Sequence, residues 1–338
     1  MGHPFHGMKV VILHDPVTED ARPDVQDTMQ QVSVVGEALR RLGFVVRTMA
    51  APVDTLALEQ ALWSARPTLV FNLVESHPGL LLAPRILTRC GYTYTGCGAA
   101  AMLISTDKVA AKRRMVAAQI PTPPWVSIER LPDAMHFDQP FIIKPVNEDA
   151  SVGIGPESIV ANAEDLHQWK AAHGIDNSEG WFAERFVAGR EFNLSILERS
   201  SGPQLLPMAE ILFDGFPEGR PYVVDYDAKW KKGSPEYRGT RRVFGNNGED
   251  RLLGERLQAM GAACWNAFHL SGYARVDFRV DAEGNPWVLE VNANPCLSPD
   301  AGFAAAVRQG GHSFTDGIEC IVAAAFIACG DEKLAQAQ

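Results

Sequence analysis

Two short strands late in the chain, Tyr273-Ala-Arg-Val-Asp-Phe-Arg-Val280 and Pro286-Trp-Val-Leu-Glu-Val-Asn292, flank Asp281-Ala-Glu-Gly-Asn285, a turn-rich stretch that reads as a hairpin connection. Folding about that turn sets Asp277 opposite Glu290 and Arg275 opposite Asn292. The side-chain period of two puts these four on one face, with Val276, Phe278, Leu289 and Val291 on the other. Two carboxylates facing each other across a ladder repel, so the pair calls for a proton or a cation between them. Asp, Glu and Asn oxygens are the hard donors that Mg²⁺ or Mn²⁺ takes, and Mg²⁺ usually arrives with substrate phosphates. The hairpin alone leaves two readings open, a polar face turned to water or a cation platform.

The 338 residues can hold two or three domains with a sizeable core. A net charge of −10 argues against a nucleic-acid surface, which needs basic patches. The six cysteines show neither CxxC pairing nor zinc-type spacing with histidine, which fits a reducing cytosol. The sequence has no signal-like leader and no run of about 18 apolar residues, so the expectation is a cytoplasmic protein that does not span a membrane.

Apolar runs at residues 9–13, 44–46 and 68–72 alternate with helical patterns at 28–42 and 56–65. This β-α-β-α-β order implies a doubly wound α/β unit, with the loops at 14–27 and 73–79 lining a crevice at the strands' carboxyl ends. The Gly96-Cys-Gly98 pair follows no clear strand and reads as a turn. A boundary is expected near Ser105, followed by one helix over 106–119. Strands are expected at 140–144, 181–187, 191–197 and 206–213, and helices at 163–173, 250–270 and 316–329, with a long polar loop before the helix at 250–270.

Lys144 ends an apolar strand and is followed by Glu148-Asp-Ala-Ser-Val-Gly153, a small-residue loop whose N–H groups can face phosphate oxygens. Glu184-Arg-Phe-Val187 closes another strand, where backbone groups can pair with an adenine edge, and Glu191 lies close enough to take a ribose diol. Taken singly, each is matched by an ordinary solvated loop.

Together with Ser105-Thr-Asp-Lys108, Asp225-Tyr-Asp-Ala-Lys229, Arg275-Val-Asp277 and Leu289-Glu-Val-Asn-Ala-Asn-Pro295, these motifs fall in an order that resembles the ATP-grasp ligases, D-alanine–D-alanine ligase branch, over about residues 100–312. The resemblance implies an α/β, three-domain ATP-grasp architecture, with ATP held between two α+β domains. It divides the chain into an N-terminal Rossmann-like domain (1–104), a central subdomain with the phosphate loop (105–188), a C-terminal subdomain with the metal site (189–330) and a flexible tail (331–338). It further implies that Lys108, Lys144, Ser151, Val152 and Gly153 hold ATP phosphates. Glu184, Arg185 and Val187 would frame adenine, and Glu191 the ribose. Lys229 would reach the γ-phosphate from a mobile loop, while Asp277, Glu290 and Asn292 hold two Mg²⁺ (or Mn²⁺) ions. Arg275, helped by the backbone N–H of Cys296, would stabilise an acyl-phosphate. The implied partners are a small carboxylate and a small amine, and relatives often pair as homodimers through the N-terminal domain.

Four departures stand out. The first strand leads into His14-Asp-Pro-Val-Thr-Glu-Asp rather than the Gly-Gly and Glu-Val-Ser elements that take the first D-alanine. Ala150 stands where the first of two loop serines is expected, and Trp230 replaces the lid tyrosine. Ser298-Pro-Asp300-Ala301 replaces the hydroxyl residues that hold the second substrate's carboxylate. The expectation is therefore an ATP-dependent carboxylate–amine ligase acting on something other than two D-alanines, with Glu75, Trp230, Cys296 and Asp300 in the rebuilt pockets. Two alternatives stand beside it: a divergent D-alanine–D-alanine ligase, and a nucleotide-binding module without catalysis.

Overall fold

The computed structural model describes residues 4–130, 140–175, 180–216, 219–245 and 250–330; the expected tail at 331–338 lies outside them. Three sheets organise the chain. Strands β1 (Lys9–His14), β2 (Val45–Ala50) and β3 (Leu69–Leu73) form a parallel sheet in the order β2-β1-β3. Strands β4 (Trp125–Ser127), β5 (Phe141–Pro145), β6 (Ile159–Val160) and β7 (Trp181–Arg185) form an antiparallel sheet in the order β4-β7-β5-β6. Strands β8 (Arg190–Arg199), β9 (Gly202–Leu205), β10 (Ala209–Phe213), β11 (Thr240–Phe244), β12 (Tyr273–Val280) and β13 (Pro286–Asn292) form the third, in the order β11-β10-β8-β12-β13 with β9 beside β8.

The helix Pro23–Arg41 starts earlier than the pattern at 28–42 indicates, because Pro23 is pre-set for a first turn and Asp24 suits the helix's positive end. Arg40 and Arg41 occupy the opposite end. Asp27, expected in a loop, therefore lies on this helix. Its buried stripe, including Val32, Val35 and Leu39, shares one core with Ile318, Ile321, Val322 and Ala325 of the closing helix Phe314–Ala328. The ends of the chain thus pack together over β1 and β3.

The single helix expected at 106–119 is two, Ala99–Thr106 and Lys108–Ala117. Asp107 breaks the run by taking an extended conformation and accepting the Ala110 N–H at 2.8 Å, so it caps the second helix in place of Ser105 or Thr106. The polar loop expected after β10 holds two five-residue helices, Tyr226–Trp230 and Pro235–Gly239, and edge strand β11.

The β12–β13 hairpin has the anticipated register, Arg275 opposite Asn292 and Asp277 opposite Glu290. A bulge then shifts the ladder, so Phe278 faces Val288. This corrects one assignment: Val276, Phe278 and Val291 are core residues, but Leu289 is half-buried at the bulge and lines the cleft instead.

Between β7 and β8 the chain turns at Gly189, with φ at +144°. A Cβ built there would stand 2.0 Å from the Val280 carbonyl oxygen. Gly189→Ala is expected to cost about 2–4 kcal/mol of unfolding free energy in a urea titration, since both the backbone conformation and the space exclude a side chain.

Candidate active-site cleft

A cleft of about 1270 Å³ is walled by β5 and β7 of the four-stranded sheet and by β8, β12 and β13 of the six-stranded one. On its floor Arg275 grips Asp277 with two parallel bonds, Nε to Oδ1 at 2.7 Å and Nη2 to Oδ2 at 2.8 Å, and Asn193 donates to the same carboxylate at 2.8 Å. Glu290 faces a second cation, Lys108, whose Nζ is 3.9 Å away. Lys108 also donates to the Glu148 carbonyl at 2.6 Å and to Asp149 at 3.0 Å. Burial alone would raise the Glu290 pKa, but Lys108, its contact with Asp149 and Lys229 outweigh that and hold it low. Asp149 moves the other way, raised by burial and by the neighbouring Glu290 charge despite Lys108. Lys229, buried and beside Arg275, has its pKa lowered.

At the far end Glu184, 1% exposed, is clamped between Lys144 and Lys112, the latter at 2.5 Å. These two cations overcome the burial penalty and keep its pKa low. Lys112 is fixed in turn by Thr122 Oγ1 at 2.9 Å and the Pro123 carbonyl at 3.3 Å. Arg185 and Val187 border the same end. Glu191 accepts from Arg279 at 2.7 Å.

In the loop after β5, Ala150 and Ser151 both have positive φ, 57° and 62°, followed by Gly153 at 74°. Ser151 Oγ donates to the Val224 carbonyl at 2.7 Å, and Trp230 Nε1 to the Ala150 carbonyl at 3.0 Å. The segment bearing Lys229 is thereby tied to this loop, and Tyr226 ties it to Asp24 of the N-terminal unit at 3.0 Å.

The third wall is acidic. Asp15 accepts the backbone N–H groups of Glu75 and Ser76 at 2.7 and 2.8 Å. Glu75 accepts from Gln31 at 3.1 Å, and Gln31 in turn accepts the Leu297 N–H at 2.8 Å. Burial pushes the Glu75 carboxyl up to about 8; the Gln31 bond opposes this, and the charges of Asp15, Asp27 and Asp149 reinforce it. Asp27 accepts from Cys296 Sγ at 3.1 Å and from Ser298 at 2.7 Å. Asp300 is exposed, and its backbone carbonyl accepts from Arg242 at 3.2 Å.

The cleft thus gathers Lys144, Ser151, Val152, Glu184, Arg185, Val187, Glu191, Lys229, Arg275, Asp277, Glu290 and Asn292, and Glu75, Trp230, Cys296 and Asp300 also line it. Lys108 lies beneath the floor, 8% exposed, and Gly153 faces a neighbouring depression beside Trp181.

The family model described as D-ala D-ala ligase C-terminus matches residues 116–323. A D-alanine–D-alanine ligase of Gloeobacter violaceus is 30% identical over 285 residues, covering 77% of this chain and 88% of that protein. The chain belongs to the D-alanine–D-alanine ligase family. A ligase of a Synechococcus strain is 37% identical over 236 residues, 68% of this chain and 66% of that one. The fold is likewise that of the ligase from Bacillus anthracis solved with ATP, with a TM-score of 0.72 at 18% identity, covering 96% of this chain and all of that one. This is the ATP-grasp fold.

Measured against this ligase fold, reading the sequence alone passes over Lys112, Asp149, Gln31, Asp15 and Asp27. Lys112 sits four residues after Lys108 on a helix, a spacing that puts both on one face and was the available signal. The others converge only in three dimensions. Because Glu75 holds a proton in the folded state up to about pH 8, its contribution to stability is present below about pH 4.5 and is lost as pH rises through 8. Thermal melts of Glu75→Gln should therefore gain on the wild type between pH 6 and 9, by about 2 °C or more. A constant gap across that range would contradict this assignment.

Proposed function

We propose that the chain is an ATP-dependent carboxylate–amine ligase whose substrates are not two D-alanines. The single observation that carries the ligase reading is the convergence of Lys144, Lys229 and Arg275 with Asp277 and Glu290 in one cleft. Phosphoryl transfer is catalysed chiefly by positioning and charge neutralisation, and these are the groups that supply both. A carboxylate oxygen of the first substrate attacks the γ-phosphorus of ATP, and the bond to ADP breaks. The amine nitrogen then attacks the acyl carbon, the C–O bond to phosphate breaks, and a C–N bond remains. Lys108, Lys144 and the 150–153 loop take the phosphates, with Glu184 holding Lys144 in place. Arg185 and Val187 border adenine, and Glu191 takes the ribose. Lys229 reaches the transferred group, and Arg275 balances charge on the acyl-phosphate.

Asp277, Glu290 and Asn292 are all oxygen donors. Among the described residues no three His, Cys, Asp or Glu side chains form a cage of their own. That set fits Mg²⁺, which takes one or two carboxylates and completes its shell with phosphate and water. When bound it neutralises charge on the transferred phosphoryl group.

Two features support substrates other than paired D-alanines. The lid meets the phosphate loop through Trp230 and the Ala150 backbone carbonyl, and Ser151 is spent on the Val224 carbonyl, so positions 150 and 230 offer no hydroxyl to orient a substrate-binding carboxylate. The carboxylates of the acidic wall are already engaged, Asp15 by the Glu75 and Ser76 N–H groups, Glu75 by Gln31 and Asp27 by Ser298. The second reading, a divergent D-alanine–D-alanine ligase, is favoured by the names its relatives carry. A module without catalysis would have no use for the full charged floor.

ATP-dependent phosphate release, followed across D-alanine and a panel of amino acids and amines with product mass, separates the two. Turnover with D-alanine alone matching the best other pair would overturn the first reading. Asp277→Ala is expected to cut that turnover by roughly 1000-fold or more. Unchanged turnover in this variant would sink the enzymatic reading.

A further inference from the structure

We infer that Arg220 is the positioning residue that holds Lys229 in the cleft, by bridging the two short helices between β10 and β11. This rests on the ligase reading above, in which Lys229 reaches the phosphoryl group being transferred.

Lys229 lines the cleft from the helix Tyr226–Trp230, which has only five residues. One turn of helix does not hold its own shape in water, because too few backbone bonds offset the ordering of its residues. Burial and the nearby Arg275 charge also disfavour a cation at Lys229. The side chain therefore needs a backbone held from outside.

Asp225 supplies the first hold. Its Oδ1 accepts the Ala228 N–H at 2.9 Å and caps the helix. The residue is 3% exposed, so its charge needs a cation beside it. Arg220 is that cation, with Nη2 donating to Asp225 Oδ2 at 2.7 Å. Arg220 Nη1 lies 2.6 Å from Oε1 of Glu236, itself 8% exposed, in the first turn of the helix Pro235–Gly239. One guanidinium thus joins two buried carboxylates on consecutive helices. Its several donors in a fixed fork allow this, and the single nitrogen of a lysine matches it poorly.

The second helix is fastened to the six-stranded sheet. The Asp214 N–H, just past β10, donates to the Gly239 carbonyl at 2.7 Å, and β11 begins at Thr240. Arg220 also lies over the Phe216 ring, 5.6 Å from its centre, and that ring stands edge-on to Phe213 of β10. Support therefore runs from the sheet through Glu236, Arg220 and Asp225 to the helix that carries Lys229. The other ties of this helix and its flank, Ser151 to Val224, Trp230 to Ala150 and Tyr226 to Asp24, lead across to the loop after β5 and to the helix Pro23–Arg41. Arg220 makes the tie to the sheet that bears Arg275 and Asp277.

The test uses the full-length protein. Acids that it activates are first found by hydroxamate formation with ATP and hydroxylamine, across proteinogenic amino acids and their D-forms. Arg220→Gln should lower kcat for hydroxamate by roughly 100-fold, the effect of a small misplacement of a group that acts at the reacting centre. Arg220→Lys should recover part of that loss. In Arg220→Gln the β,γ-imido analogue of ATP should bind roughly tenfold more weakly, and ADP within about twofold of the wild type, because only the analogue presents a γ-phosphate to Lys229. Joined to Lys229→Met, Arg220→Gln should add no further loss in kcat, since the two act through one group. Asp225→Asn keeps a capping oxygen but removes the charge that Arg220 grips, so it should match Arg220→Gln and carries the test if that variant fails to fold. An unchanged kcat in Arg220→Gln or Asp225→Asn, equal weakening of ADP and the analogue, or a double variant slowed by the product of the two single losses would overturn the inference while leaving the ligase reading standing. Absence of any hydroxamate from the wild type would overturn both.

Discussion

Three carboxylates, Asp149, Asp277 and Glu290, are crowded onto one floor, and the arrangement around them is set by the cations placed among them. Arg275 spans Asp277, while Lys108 reaches both Asp149 and Glu290. Lys229 comes from the segment above. Each of these cations is supplied by a different part of the chain: a strand of the hairpin, the start of a helix before β4, and a short helix in the segment between β10 and β11. The floor therefore holds together elements far apart in sequence. Truncating one member leaves an opposite charge buried without a partner, which costs more than the pair contributes when intact.

Much of this was legible in the residues, and the limits follow from range. The hairpin register came from the two-residue period and a turn, both local, and it held through Asp277 and Glu290. One residue further it failed, because a bulge leaves no mark in an alternating pattern, and Leu289 changed face. The break at Asp107 was missed for a related reason. A capping aspartate inside a continuous helical pattern looks like any polar helical residue until its side chain is seen to accept the Ala110 N–H. Glu184 is the clearest case at the site. Its strand-end position was plain, but nothing local announces that it sits between Lys112 and Lys144, 72 and 40 residues away along the chain.

That clamp changes what Glu184 can do. A carboxylate held by two lysines and almost wholly buried is not free to swing toward a ligand, and its first effect is to fix Lys144. Lys144 Nζ therefore points where Glu184 allows, and Lys112, anchored by Thr122 and Pro123, decides where Glu184 stands. Thr122 also donates to the Val288 carbonyl at 2.8 Å, so the same chain of contacts runs into β13, next to Glu290. The Glu184 end of the cleft and its charged floor are thus linked through one buried polar path.

The walls obey a different logic from the floor. The floor's carboxylates and cations are bound to one another, so none of them changes without leaving another unpaired. On the walls the lid contact runs from the Trp230 indole to a backbone carbonyl. Every residue has such a carbonyl, so this contact closes the lid without depending on the side chain at position 150. The contact that joins this segment to the loop after β5 therefore spends no side-chain hydroxyl.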